Sequence, residues 1–183
     1  GFSGPLPEPS DIVIRSPGIP RRSELYRAAC ALEVPVLSEL AYAAGFCSVP
    51  LLAVTGTNGK TTTVEMAQHC LTQGAGLDVI SAGNIGKPLS EVVVNGCCAD
   101  YIALEVSSFQ LENTSDFVPY AAAILNIRDD HLDHYTGREE YARAKLKLLE
   151  KLPSADHIIL HSSLQRLSHV AALLNGMPGE PFW

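Results

Sequence analysis

The chain has 183 residues, of which 46% are hydrophobic and 18% charged, with a formal net charge of -7 from 20 acidic and 13 basic residues. This describes a globular chain with a sizeable core, long enough for one domain and part of another. No basic stripe runs along it, which argues against a nucleic-acid partner, and no apolar run is long enough to span a bilayer.

Residues 1–10 are rich in proline and read as loop. They include neither an initiator Met nor a signal-peptide pattern, so a cut edge, and hence a fragment, is expected. Residues 11–15 form a short strand that stops at Ser16-Pro17-Gly18-Ile19-Pro20. Ser23 is an N-cap candidate, with Glu24 in the first turn of a helix reaching about Leu32. A second strand is expected at 34–37 and a second helix at 38–43. This unit is too small to bury its own faces and resembles the closing piece of a Rossmann-like sheet. Residues 45–50 are the expected linker.

The central strand is expected at 49–54, and the helix after it at 60–73, closed by Gly74-Ala75-Gly76. Further strands are expected at 77–80, 101–106, 121–127 and 157–160. Further helices are expected at 88–94, 137–152 and 163–174. The alternation predicts an α/β fold with a doubly wound, mostly parallel sheet at 49–183, preceded by a partial Rossmann-like domain at 1–48. The cysteines Cys30, Cys47, Cys70, Cys97 and Cys98 form no C-x-x-C pair. Such a scatter points to free thiols in a reducing cytoplasm.

The central strand runs into Gly56-Thr57-Asn58-Gly59-Lys60-Thr61-Thr62 and then a helix. This order suits the grip of a polyphosphate. Glycines admit close backbone approach, successive N–H groups line a concavity, and the helix N-terminus adds positive potential. Lys60 would reach the outer phosphates, and a hydroxyl at Thr61 or Thr62 would bind Mg²⁺. The strict phosphate-loop pattern places a glycine six residues before the lysine, where this chain has Val54.

In an open parallel sheet, ligands bind beyond the carboxyl ends of strands. Polar residues gather there: the loop, Asn84, Glu105 to Gln110, and Asn126 to His134. Glu105 ends an apolar strand, and a buried carboxylate needs a partner. Mg²⁺ beside nucleotide phosphates is one partner, and a neighbouring lysine is the other. Ser107, Ser108 and Gln110 either donate to a substrate or cap a turn. Asp129, Asp130, His131, Asp133 and His134 lack nearby cysteines, so His131 suits a second Mg²⁺ better than Zn²⁺. His134 reads as a lone surface histidine. Spacing alone does not separate Lys145 from Lys147.

These residues resemble the Mur ligases, ATP-dependent enzymes that add amino acids during peptidoglycan synthesis. The loop Gly56 to Thr62 is similar to that family's own phosphate loop, Val54 included. Four stretches resemble the branch that adds D-glutamate to UDP-N-acetylmuramoyl-L-alanine. They are Ser16-Pro17-Gly18-Ile19-Pro20, Gly83-Asn84-Ile85-Gly86, the run from Leu104 to Glu112, and Leu125-Asn126-Ile127 with Asp130-His131-Leu132-Asp133. Folylpolyglutamate synthases share a similar loop, but the first stretch and Ser107-Ser108-Phe109-Gln110 weigh against them.

The resemblance implies roles residue by residue. Gly56, Thr57, Asn58, Gly59, Lys60, Thr61 and Thr62 would hold ATP, with Lys60 on the β- and γ-phosphates. Thr61 and Glu105 would bind the Mg²⁺ on ATP. Asn84 and Gln110, with Ser107 beside them, would face the muramoyl-alanine end of the substrate. His131 would bind the second Mg²⁺, supported by Lys145 as a carbamate. Lys60, His131 and Lys145 are thus the implied catalytic set. The resemblance also implies three domains acting on UDP, ATP and the incoming amino acid in a cytoplasmic enzyme, with a monomer expected. The opening half of the first domain, the late part of the central domain with its adenine and ribose contacts, and all of the third domain are expected to be missing. The chain would then keep the phosphate centre yet not turn over, which leaves a non-catalytic nucleotide-binding module as the rival reading.

Overall fold

Strands buried on both faces need helices on both sides of the sheet, and the chain supplies them. The computed structural model describes residues 10–114, 117–128, 130, 134–135 and 137–183. His131, with Asp129 and Asp133, lies outside these residues. Two small parallel strands come first, β1 (Val13–Arg15) and β2 (Val36–Ser38), with α1 (Glu24–Ala31) between them and α2 (Glu39–Ala44) after. The larger sheet has five parallel strands in the order β4-β5-β3-β6-β7. They are β3 (Leu51–Thr55), β4 (Val79–Gly83), β5 (Tyr101–Glu105), β6 (Ala121–Ile124) and β7 (Ile158–Leu160). The helices are α3 (Lys60–Ala75), α4 (Leu89–Val94), α5 (Ser108–Leu111), α6 (Arg138–Leu146) and α7 (Ser168–Leu174).

Alternate strand residues divide the core in two. Ala53, Ile102, Leu104, Ala122 and Ile124 join the larger cluster with Leu40, Leu89 and Leu148. Val54, Ala103 and Ala123 face the other way and pack with Val64 of α3. The α/β class with a parallel sheet is therefore the observed fold. Among the described residues, no helix is long and apolar enough to cross a membrane.

The small unit does not stand alone. Leu40 and Ala43 of α2 are buried in the same cluster as Leu89 and Val92 of α4. The Glu39 carboxylate accepts from the Ser90 N–H at 2.7 Å. Ser23 caps α1 as read, accepting from Tyr26 N–H, and Ser38, expected as the first residue of the second helix, is instead its N-cap, accepting from Ala41 N–H.

Three expected elements are shorter. The helix expected at 137–152 leaves α geometry after Leu146 and continues through turns such as Leu148 N–H to the Lys145 carbonyl. Leu148, Leu149 and Leu152 are all buried, and Pro153 disfavours helix before it. The helix expected at 163–174 splits into a 3-10 turn over Ser162–Arg166 and α7. Strand β6 stops at Ile124 because the chain beyond turns aside to brace the phosphate loop.

Gly83 shows how tightly β4 meets β5. Its φ is 111°, and an added Cβ would lie 2.2 Å from the Glu105 carbonyl oxygen. Gly83→Ala is expected to cost about 3 kcal/mol through backbone strain and displacement of β5. An unchanged urea midpoint would contradict this.

Candidate active site

β3 lies in the middle of the sheet, and the chain crosses to β4 and β5 on one side before β6 and β7 on the other. The crevice at such a reversal is where an α/β sheet receives ligands. Glu105 pairs level with Val54 on one flank of β3, and Ile124 level with Thr55 on the other. The loop Gly56 to Gly59 is thus held between the ends of β5 and β6.

Both loop glycines have reasons to be glycine. Gly59 takes φ 85° as the residue before α3, a left-handed conformation costly for other residues. At Gly56 an added Cβ would meet Leu125 Cβ at 3.1 Å and Asn126 N at 3.4 Å. Asn126 braces the loop with both ends of its amide: Asn58 N–H donates to its Oδ1 at 2.9 Å, and its Nδ2 donates to the Asn58 carbonyl at 3.0 Å. Helix α3 starts with neither a side-chain cap nor an acidic residue in its first turn. Its amino-terminal N–H groups and dipole therefore remain available to an anion.

Lys60 folds back along the loop, its Nζ donating to the Gly56 carbonyl at 2.9 Å and the Thr57 carbonyl at 3.0 Å. Next to it, Thr61 Oγ1 donates to Glu105 Oε2 at 2.8 Å. Asn84 Nδ2 donates to Glu105 Oε1 at 3.0 Å. Glu105 is 2% exposed, so its charge is held by a hydroxyl and an amide rather than by a lysine. Thr62 is exposed, so Thr61 is the hydroxyl turned to the carboxylate. A carboxylate and a hydroxyl are hard oxygen donors of the kind Mg²⁺ takes together with phosphate oxygens and water. Among the described residues no group of three or more His, Cys, Asp or Glu could hold a metal ion. These two donors fit an ion that draws its other ligands from a nucleotide.

Helix α6 adds the second lysine. Lys145 is 1% exposed, and its Nζ donates to the same Gly56 carbonyl at 3.0 Å. Lys147 instead donates to the Glu112 carbonyl at 2.9 Å, so of the two lysines that spacing does not separate, Lys145 is the one bonded to the loop. Burial pushes the Lys145 amine down to about 7, with the Lys60 charge adding to the fall and Asp130 opposing it. The ammonium lies 4.6 Å from the centre of the Tyr141 ring. The Tyr141 hydroxyl is 3.3 Å from Thr57 Oγ1, so one face of α6 touches the loop twice.

The lowered Lys145 pKa has a consequence for stability. The unfolded lysine holds its proton up to its ordinary value of 10.5, and the folded one only up to about 7. Between these values the unfolded chain binds the extra proton, so stability rises with pH by up to about 1.4 kcal/mol per pH unit from this group. Lys145→Met removes that contribution, and urea titrations of both proteins from pH 7 to pH 10 check it. Parallel curves would show an ordinary lysine.

Ser107 and Gln110 follow the turn-capping alternative. The Gln110 Oε1 accepts from Ser107 N–H at 3.0 Å and Ser107 Oγ at 2.9 Å, while Ser107 Oγ accepts from Gln110 N–H at 3.3 Å. This box fixes α5 directly behind Glu105. The expectation for His134 is corrected: its side chain is 15% exposed and Nε2 lies 2.8 Å from Glu112 Oε1. Sequence reasoning also missed Tyr141. Its position four residues before Lys145 on one helix face was the available signal.

A strand, a glycine turn carrying a lysine, and a flanking buried carboxylate define a nucleotide-phosphate-binding α/β domain. The model of the Mur ligase middle domain matches residues 54–176, and the chain belongs to that family. It is 43% identical over 152 residues to the UDP-N-acetylmuramoylalanine--D-glutamate ligase of Geotalea uraniireducens, covering 83% of this chain and 33% of that one. It is 35% identical over 177 residues to the ligase of that name from Streptococcus pyogenes, covering 97% of this chain and 39% of that one. The chain thus spans about a third of the length of the curated relatives it matches. The MurF ligase from Thermotoga maritima in complex with ADP shares the fold, with a TM-score of 0.60 and 16% identity over 92% of this chain and 46% of that one.

Proposed function

We propose that the chain is the phosphate-handling centre of an ATP-dependent ligase joining D-glutamate to UDP-N-acetylmuramoyl-L-alanine. The observation that carries this is the convergence on one loop: Lys60 and Lys145 both donate to the Gly56 carbonyl while Thr61, beside Lys60, holds Glu105. In the reaction, a substrate carboxylate attacks the γ-phosphorus of ATP, the bond to the bridging oxygen breaks, ADP leaves and an acyl phosphate forms. The amine of D-glutamate then attacks that carbonyl carbon, forms the amide, and expels phosphate.

The first step brings two anions together, so neutralising charge is the main task. Lys60 leaves the Gly56 and Thr57 carbonyls to meet the outer phosphates, and the N–H groups at the start of α3 receive the remainder. Mg²⁺ at Thr61 and Glu105 would supply further neutralisation on the phosphate oxygens. Lys145 as a carbamate, together with His131, would hold a second Mg²⁺. Asn84, which donates to Glu105, would face the muramoyl-alanine end, with Ser107 and Gln110 presenting to it whatever their mutual capping box leaves over. Residues 1–48 would close a UDP-binding, Rossmann-like domain, and 49–183 would form the ATP-binding domain of a cytoplasmic monomer.

The test is phosphate release by the full-length ligase with ATP, UDP-N-acetylmuramoyl-L-alanine and D-glutamate. Amide product that requires all three is expected. Product only with a folate acceptor, or nucleotide binding without any product, would overturn the reading.

A further inference from the structure

Arg15, Glu112 and His134 come from three separate stretches and meet in the protein interior. Glu112 is the carboxyl-terminal cap of α5. Its side chain is 2% exposed, and both oxygens are engaged: Arg15 Nη1 donates to Oε2 at 2.8 Å, and His134 Nε2 stands 2.8 Å from Oε1. The same guanidinium holds two further points. Its Nη1 donates to Asn113 Oδ1 at 2.6 Å, and its Nε donates to the Ile19 carbonyl at 2.9 Å. Ile19 belongs to the turn at 16–20 that ends β1. His134 packs edge-on against Phe109 of α5 at 4.7 Å between ring centres.

This network is a poor way to gain stability. Desolvation offsets most of the attraction in a buried ion pair. Arg15 Nη2 is also buried with no partner, an added cost. What the charges fix is register, since an apolar cluster of the same volume would tolerate sliding.

We propose that Glu112 is a positioning residue. It locks the turn after β1 and the chain at His134 onto the end of α5, so that one ligand lying across these segments meets all of them at fixed spacing. This rests on the ligase reading, in which that ligand is the anionic nucleotide-sugar acid acceptor.

The experiment compares Glu112→Gln and the apolar pair R15M/E112L in the full-length ligase. Glu112→Gln is expected to raise KM for the acceptor about tenfold or more while KM for ATP stays within about twofold. R15M/E112L is expected to recover the thermal midpoint but keep the raised acceptor KM. It decides the matter alone if Glu112→Gln does not fold. An unchanged acceptor KM, or a double variant that recovers both properties, overturns the proposal and leaves the ligase reading intact. A wild-type ligase that makes no product with the acceptor overturns both.

Discussion

Lys60→Ala is expected to lower phosphate release by the full-length ligase roughly 10³-fold or more. The ammonium already sits on the inner rim of the loop, held by the Gly56 and Thr57 carbonyls. Alanine removes the charge and leaves those carbonyls facing the incoming anion, which adds repulsion to the lost attraction. Arginine is not expected to restore the function, because a planar fork of donors does not reproduce a compact ammonium held by two carbonyls. Two assays separate the effects: ATP titration reads ground-state binding, and single-turnover phosphate release reads the chemical step. Product formation at the wild-type rate would remove Lys60 from the site.

The features legible in the sequence are those whose cause is local. The Gly56 to Gly59 turn announces itself because strand, glycines, lysine and helix occur within one short stretch. Glu105 announces itself because a carboxylate at the end of an apolar strand must find a partner. The identity of that partner was not legible. Thr61 lies 44 positions before Glu105, and Asn84 lies 21 positions before Glu105, and the strand order brings them together. The choice between Lys145 and Lys147 depended on which helix face meets the loop, and periodicity is weak in a segment whose Leu146, Leu148, Leu149 and Leu152 are all buried. Arg15 and Glu112 are 97 positions apart. In sequence each is an ordinary charge, and their meeting depends on how α2 docks the small sheet against α4. Ser107 and Gln110 were legible in type, since Ser followed three residues later by Gln is a capping pattern, yet that pattern carries no news of a substrate.

Lys145→Ala is expected to lower turnover of the full-length ligase about 10²-fold or more, and short carboxylic acids such as formate or acetate are expected to restore part of the loss. The argument begins with burial. A lysine 1% exposed beside a second lysine, with its amine pushed down to about 7, is in large part uncharged near neutral pH. A neutral amine has a free electron pair, which attacks the carbon of CO₂. The nitrogen loses a proton to solvent, and the product is an anionic carbamate. That anion would face Lys60 and the amino end of α3 and replace a repulsion between two cations with an attraction. In the alanine variant, the vacated space takes a small carboxylate carrying the same charge. The pH dependence follows from the sign of the shift. Below about pH 7 the amine keeps its proton, CO₂ cannot add, and activity falls in the wild type; the acid-rescued variant lacks that amine and loses this component of the fall. Labelled ¹³CO₂ gives an independent readout, a carbamate carbon signal present in the wild type and absent in Lys145→Ala. An alanine variant with full activity and no response to added acid would remove both the carbamate and the Lys145 contact with the Gly56 carbonyl from the reaction.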